Sequence, residues 1–124
     1  MSILTSPEEL PQKIQRHITG EYHSDFIAAF KTNIKPNATI PILWVIFYNN
    51  GLLFCNTHKT RGLYRDIKIS EIDSFKLNIS EYTPPVVQII FKDIHESDYF
   101  IESPKGTDSK KLLDILNSLK TQVL

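Results

Sequence analysis

The 124 residues are 41% hydrophobic and 23% charged, and fourteen Lys plus Arg balance fourteen Asp plus Glu. Such values belong to one globular domain with a single core; they exclude a disordered chain and argue against a dedicated nucleic-acid binder, which needs surplus positive charge to hold a phosphate backbone. Cys55 is the only cysteine, so no intrachain disulfide can form and a reducing, cytoplasmic setting fits best.

Met1 to Gln12 carries Glu8, Glu9 and two prolines where an export signal needs a basic start and an apolar run. Within it, Ser6-Pro7-Glu8-Glu9 reads as a helix start: a capping serine, proline at the first position and acids in the first turn. Leu10, Ile14, His17 and Ile18 follow at helical spacing, which predicts a short helix ending at Gly20. Phe26, Ala28 and Phe30 alternate as in a strand, so Tyr22 to Thr32 is assigned as strand, although Ser24-Asp25 equally suits a helix cap. Asn33 to Thr39, with Pro36 and two asparagines, has the composition of a loop.

Ile40 to Tyr48 is the longest apolar stretch, but with Pro41 inside it and only nine residues it is about half of the ~20 needed to span a bilayer. It reads as a strand. Asn49-Asn50-Gly51 and then Leu52 to Cys55 predict a hairpin turning at Asn50-Gly51, because Asn and Gly tolerate positive backbone angles. A turn at Thr57 to Gly62 precedes two further strands, Leu63 to Ile69 and Ile72 to Ile79, the second ended by Thr83-Pro84-Pro85. Val86 to Lys92, the polar turn Asp93 to Asp98, and Tyr99 to Glu102 predict a last hairpin. After Pro104 to Gly106, Thr107 or Asp108 can cap an amphipathic helix with Leu112, Leu116, Leu119 and Val123 on one stripe, widened by Leu113 and Ile115.

The fold class that follows is mainly β: an open barrel of about seven antiparallel strands, a short N-terminal helix, and a C-terminal helix that buries its leucines over the open end. The order of elements resembles the pleckstrin-homology superfold, in particular its bacterial and GRAM-like branches. The stretches that carry the resemblance are Asn50 to Cys55, the basic turn His58-Lys59-Thr60-Arg61-Gly62, and Ile67 to Phe75 with its I-x-I-x-x-I-x-x-F spacing. On that resemblance residues 20–123 form the barrel and capping helix, and residues 1–19 a helical extension of the same domain. The chain departs from eukaryotic members in placing its only tryptophan at Trp44, in a strand, and in matching their first basic loop with Lys31 and Lys35 but no arginine.

Charge is unevenly placed. Residues 26–69 hold six basic residues against Asp66 alone, whereas residues 70–124 hold six basic and nine acidic. Lys31, Lys35, His58, Lys59, Arg61 and Arg65 are therefore candidates for an anion-binding edge, aimed at a lipid headgroup or an acidic partner. A solvated basic rim that discourages strand pairing is the plainer reading of the same residues.

Catalytic and metal signals are weak. Cys55 and His58 would point to opposite faces of a continuing strand, so Cys55 reads as a buried core residue and not as a nucleophile. His23-Ser24-Asp25 has triad residue types, but triad members normally converge from separate segments. His95-Glu96 lacks a second histidine at ligand spacing, and the four glycines are too scattered for a phosphate loop. Tyr64 between Arg61 and Arg65 is a thin stacking platform for nucleic acid. The expectation is a non-enzyme without metal or cofactor: a module that binds a protein partner or itself through a strand edge or through the groove between sheet and terminal helix. Peripheral binding of anionic lipid and a small enzyme with an unfamiliar site are the alternatives.

Overall fold

The computed structural model describes residues 3–35, 42–55, 63–78, 85–103 and 109–121. Seven antiparallel strands, β1 (Phe26–Lys35), β2 (Ile42–Tyr48), β3 (Gly51–Cys55), β4 (Leu63–Lys68), β5 (Ile72–Asn78), β6 (Val86–Phe91) and β7 (Tyr99–Glu102), form one sheet in the order β4-β3-β2-β1-β7-β6-β5. The long β1 joins the two halves, pairing with β2 over Phe26 to Asn33 and with β7 at Ile34 and Lys35. Helix α3 (Ser109–Thr121) packs against β5 and drives Leu112, Leu116 and Leu119 into the core with Phe30, Phe47, Phe54, Val87 and Ile101. The mainly β architecture with its C-terminal helix agrees with the sequence pattern. The proposed cap of α3 at Thr107 or Asp108, and Val123, lie outside the described residues.

The N-terminal region departs from a single helix. Pro7–Glu9 is one 3-10 turn, capped by the Ser6 Oγ, which accepts from the Glu8 N–H at 3.4 Å. Leu10 then adopts φ −72°, ψ 153°, and helix α1 is confined to Gln12–Gln15. The cause is Pro11: its ring forces the preceding residue out of the helical region, so Leu10 cannot continue the turn. His17 is exposed, whereas Leu10, Ile14 and Ile18 are buried. Gly20, with φ 65°, supplies a left-handed reversal before a second short helix, α2 (Glu21–Ser24), so the strand expected from Tyr22 begins at Phe26. It also runs on through Asn33 to Lys35, assigned above as loop, because Ile42 of β2 pairs with Asn33 and β7 pairs with Ile34 and Lys35.

Two other local readings are corrected. The β2–β3 loop is Asn49-Asn50, one residue earlier than expected, with Gly51 already paired to Tyr48. Gly51 does not have a positive φ; a side chain is excluded because its Cβ would run into the Ile67 carbonyl oxygen on β4. On β5, Ile72 and the pair Phe75 and Leu77 have opposite parity, yet all three reach the core. A register shift between Ile72 and Ser74 inserts one residue and turns Ile72 inward.

Burial of the β1–β4 half extends to both faces. On one side Val45, Phe47, Leu52 and Phe54 join the main core; on the other Ala29, Trp44, Ile46, Tyr48, Leu53 and Cys55 form a second cluster with Leu10, Ile14 and Ile18. The N-terminal segment is thus a cover for the outer face. Its first residues also extend the sheet, since Leu4 and Ala29 exchange backbone hydrogen bonds of 2.8 and 2.9 Å.

Candidate functional site

Of the basic residues singled out by sequence, the two whose side chains are described, Lys31 and Arg65, do not share an edge or a face. Lys31 is exposed on the outer face of β1, paired with Trp44; Arg65 pairs with Phe54, on the inner face of β4, three strands away. Arg65 is also engaged within the protein. Its Nη2 donates to Glu96 Oε1 at 2.8 Å, its Nη1 donates to the Tyr99 hydroxyl at 3.0 Å, and its guanidinium lies 5.1 Å from the Phe91 ring centre and 5.2 Å from that of Tyr99. These contacts tie the edge strand β4 to the β6–β7 turn, where no ladder hydrogen bonds join the two. A guanidinium suits this role because its planar donors match a carboxylate and its face stacks on aromatic rings. Lys35 closes β1, with its side chain outside the described residues; His58, Lys59 and Arg61, the Thr57–Gly62 turn and the Tyr64 side chain lie outside them as well.

A polar network that sequence reading did not assemble anchors α2. The Tyr48 hydroxyl donates to Asp66 Oδ1 at 2.6 Å and Tyr22 donates to Asp66 Oδ2 at 2.8 Å. Lys68 Nζ donates to Tyr48 Oη and Glu21 Oε1 at 3.0 and 2.9 Å, and Glu21 also accepts from the Asn50 amide at 2.9 Å. Burial, and after it the bond to Asp66, pushes the Tyr22 phenol up to about 12 and raises that of Tyr48 as well. Hydrogen bonds to Tyr48 and Glu21 hold Lys68 charged, and the Asn50 amide followed by Lys68 lowers the Glu21 carboxyl. The network fixes the N-terminal cover at its sheet-side end. The spacing of alternate Tyr48, Asp66 and Lys68 places them on outer faces, but only folding brings Tyr22 and Glu21 to them.

Chemistry-bearing residues elsewhere stay apart. Cys55 is buried, and burial alone pushes its thiol up to about 12, the opposite of an activated nucleophile. His23 on α2 is exposed and lies 3.5 Å from Glu8. His95 is exposed in the β6–β7 turn, where the Asp93 side chain accepts from its N–H at 2.9 Å. Among the described residues no three His, Cys, Asp or Glu side chains come together as a metal ion would require, and no helix is long and apolar enough to cross a membrane.

The sheet ends on β4 and β5, and the two edges differ. β4 carries Arg65, Asp66 and Lys68, all tied into the contacts above. β5 pairs along Ile72 to Asn78 with β6, and no strand among the described residues pairs with its other side. Beside that edge, Phe75 and Leu77 are half-buried against the core, and so is Ile115 on α3. Edge and helix thus border an apolar seam next to a row of backbone donors and acceptors.

The sequence matches no protein-family model and no curated protein. The fold is similar to part of a solved structure, the complex of the FERM and C-terminal domains of Drosophila Merlin. The TM-score is 0.55 at 16% identity, over 75% of this chain and 29% of that one. This chain therefore spans less than a third of the length of the chain it matches, and the likeness is one of fold. A seven-stranded antiparallel sheet with a C-terminal helix is consistent with a pleckstrin-homology-like fold.

Proposed function

We propose that the chain is a non-catalytic, pleckstrin-homology-like interaction domain that accepts an extended peptide of a partner protein on the edge of β5. The observation that carries this reading is the seven-residue edge Ile72–Asn78 lying beside the half-buried apolar residues Phe75, Leu77 and Ile115. Strand addition provides affinity through main-chain hydrogen bonds, and alternate peptide side chains entering the β5–α3 seam provide selectivity. The complex that the fold resembles joins two protein parts, which agrees with a protein partner. A cytoplasmic setting goes with this reading, since the single thiol is kept free and buried.

Linear peptides selected from a random display library against the folded chain test it directly. Bound peptides are expected to slow hydrogen exchange at β5 amides and to weaken on Ile115→Lys. Binders that leave β5 exchange unchanged would overturn the assignment. Self-association through the same edge is read from light scattering over a concentration series, where a dimer sensitive to Ile115→Lys would identify a second copy as the partner.

A further inference from the structure

The outer face of β5–β7 carries a pocket that meets the β5 edge only at Asn78. Strand pairing sets Asn78 opposite Val86 and Val86 opposite Glu102, and places Phe100 one row along, opposite Gln88. Asn78, Val86, Phe100 and Glu102 line a hollow of about 290 Å³ and are each half-buried. That volume is at the lower end of ligand pockets and suits one long side chain better than a multi-ring cofactor.

Its polar groups are oriented from outside the hollow. Asn33 Nδ2 donates to Glu102 Oε2 at 3.2 Å. Gln88 Nε2 donates to Asp98 Oδ2 at 2.7 Å, which leaves Gln88 Oε1 to accept from Asn78 Nδ2 at 3.2 Å. The relay from Asp98 through Gln88 fixes the Asn78 amide with its nitrogen toward Gln88, so among the described residues its carbonyl oxygen has no donor, and neither has Glu102 Oε1. Both atoms are acceptors, one of them anionic, and they stand at the two ends of the Asn78–Val86–Glu102 row. A ligand that satisfies them donates at two points, is positively charged, and lays an apolar stem over Val86 and the Phe100 ring. A guanidinium on a methylene stem has that combination, with a planar fork of donors and a face that stacks on aromatic rings; an ammonium is a single point charge.

We propose that this pocket binds an arginine side chain of the partner protein. The inference rests on the protein-binding reading; the pocket shares only Asn78 with the β5 edge and is tested apart from it. Lys76, exposed and paired with Gln88, adds positive charge at the rim, so neutralising it favours a cationic ligand and disfavours an anionic one.

The probe is Nα-acetyl-arginine amide, titrated into the isotope-labelled chain and followed by amide chemical shifts. Shifts are expected at Asn78, Val86, Phe100 and Glu102, weaker with the lysine analogue and lost with the citrulline analogue, a neutral isostere. Glu102→Gln keeps side-chain volume and an acceptor for Asn33, and is expected to weaken binding roughly tenfold or more through loss of the charge-assisted pair. Lys76→Met is expected to tighten it. Equal shifts with citrulline, unchanged binding in a natively dispersed Glu102→Gln, or no shift at large excess of the arginine probe would each overturn the proposal. An arginine tripeptide that binds no tighter than the free probe would indicate a free cation and overturn the protein source. Display-selected peptides that dock on β5 while the probe stays silent sink this inference alone. A responsive pocket with the Ile72–Leu77 amides untouched by any selected peptide sinks the strand-addition reading alone.

Discussion

Strands β2 and β3 are apolar at almost every position, whereas β6 alternates half-buried Val86, Gln88 and Ile90 with buried Val87, Ile89 and Phe91. The β1–β4 half lies between α3 and the main core on one face and the N-terminal segment on the other; the β5–β7 half has the core on one face only. An unbroken apolar strand suits two apolar neighbours, whereas β6, interrupted by Gln88 and buried only at every second residue, has one. The contrast also separates stability from binding. The doubly covered half ties Tyr22, Tyr48, Asp66 and Lys68 into one network, while among the described residues the singly covered half keeps an unpaired sheet edge and the hollow proposed above as a binding pocket.

The largest expected effect breaks the doubly covered half from within. Gly51→Val pushes β4 away at the Ile67 carbonyl and should cost about 3 kcal/mol or more, read as lost cooperative unfolding or a steep fall in Tm. Gly20→Ala, in open space but at positive φ, should cost only about 1–2 kcal/mol. Equal truncations on the two outer faces sharpen the contrast. Ile14→Ala under the cover should lose about 2–5 kcal/mol in urea titration, and Ile90→Ala on the open face less than about 1.5. Cys55 reports the same event chemically: its thiol should resist a disulfide reagent in the native protein and react faster in Ile14→Ala, and equal rates would show that the cover does not protect it.

Arg65→Ala removes two hydrogen bonds and the stacking that closes β4 on the β6–β7 turn, and about 1–3 kcal/mol of stability should go with it. Arg65→Lys should restore only part, because an ammonium cannot reproduce the fork. Unchanged stability together with lost adhesion to anionic vesicles would return Arg65 to the headgroup-binding role that its charge alone implied.

The smallest effects are those of pH. The Tyr22 phenol is raised in the folded state, so its contribution is complete below its unfolded value near pH 10 and falls away as pH rises through about 12. Absorbance titration should show Tyr22 ionising two units above an exposed phenol, and Tyr22→Phe should remove that step. Glu21, lowered by Asn50 and Lys68, acts in the other direction: its contribution is present above its unfolded value near pH 4 and is lost as pH falls below it, loosening α2 first. Hydrogen exchange of the Glu21–Ser24 amides across that range checks it.

Much of the fold was legible because it is written in local patterns. Period-two alternation marked β4 and β5, a β-branched and aromatic run marked β6, Asn and Gly marked the β2–β3 turn, and leucines at helical spacing marked α3. The leading helix misled, since Leu10, Ile14 and Ile18 do face one way but Pro11 interrupts the backbone between them. The second core had a signal that was not used: Leu52 to Cys55 lack any alternation, as a strand buried on both faces should. The candidate site was less legible. Charge counting grouped Lys31 with Arg65, and the sheet separates them because grouping by sequence segment carries no information on which face each side chain takes.

Sequence by itself determined which segments are extended or helical, which ends of them turn, and that one terminal helix has an apolar stripe to bury, because backbone geometry and residue chemistry act within a few residues. Tertiary structure alone decided that the N-terminal segment covers the outer face and that Arg65 meets Glu96 and Tyr99. It also decided that β5 is left as an edge and that Asn78 and Glu102 face one another across Val86. Those outcomes depend on pairings between distant residues, and each is settled by the register of a whole strand, where a shift of one residue turns every side chain to the other face.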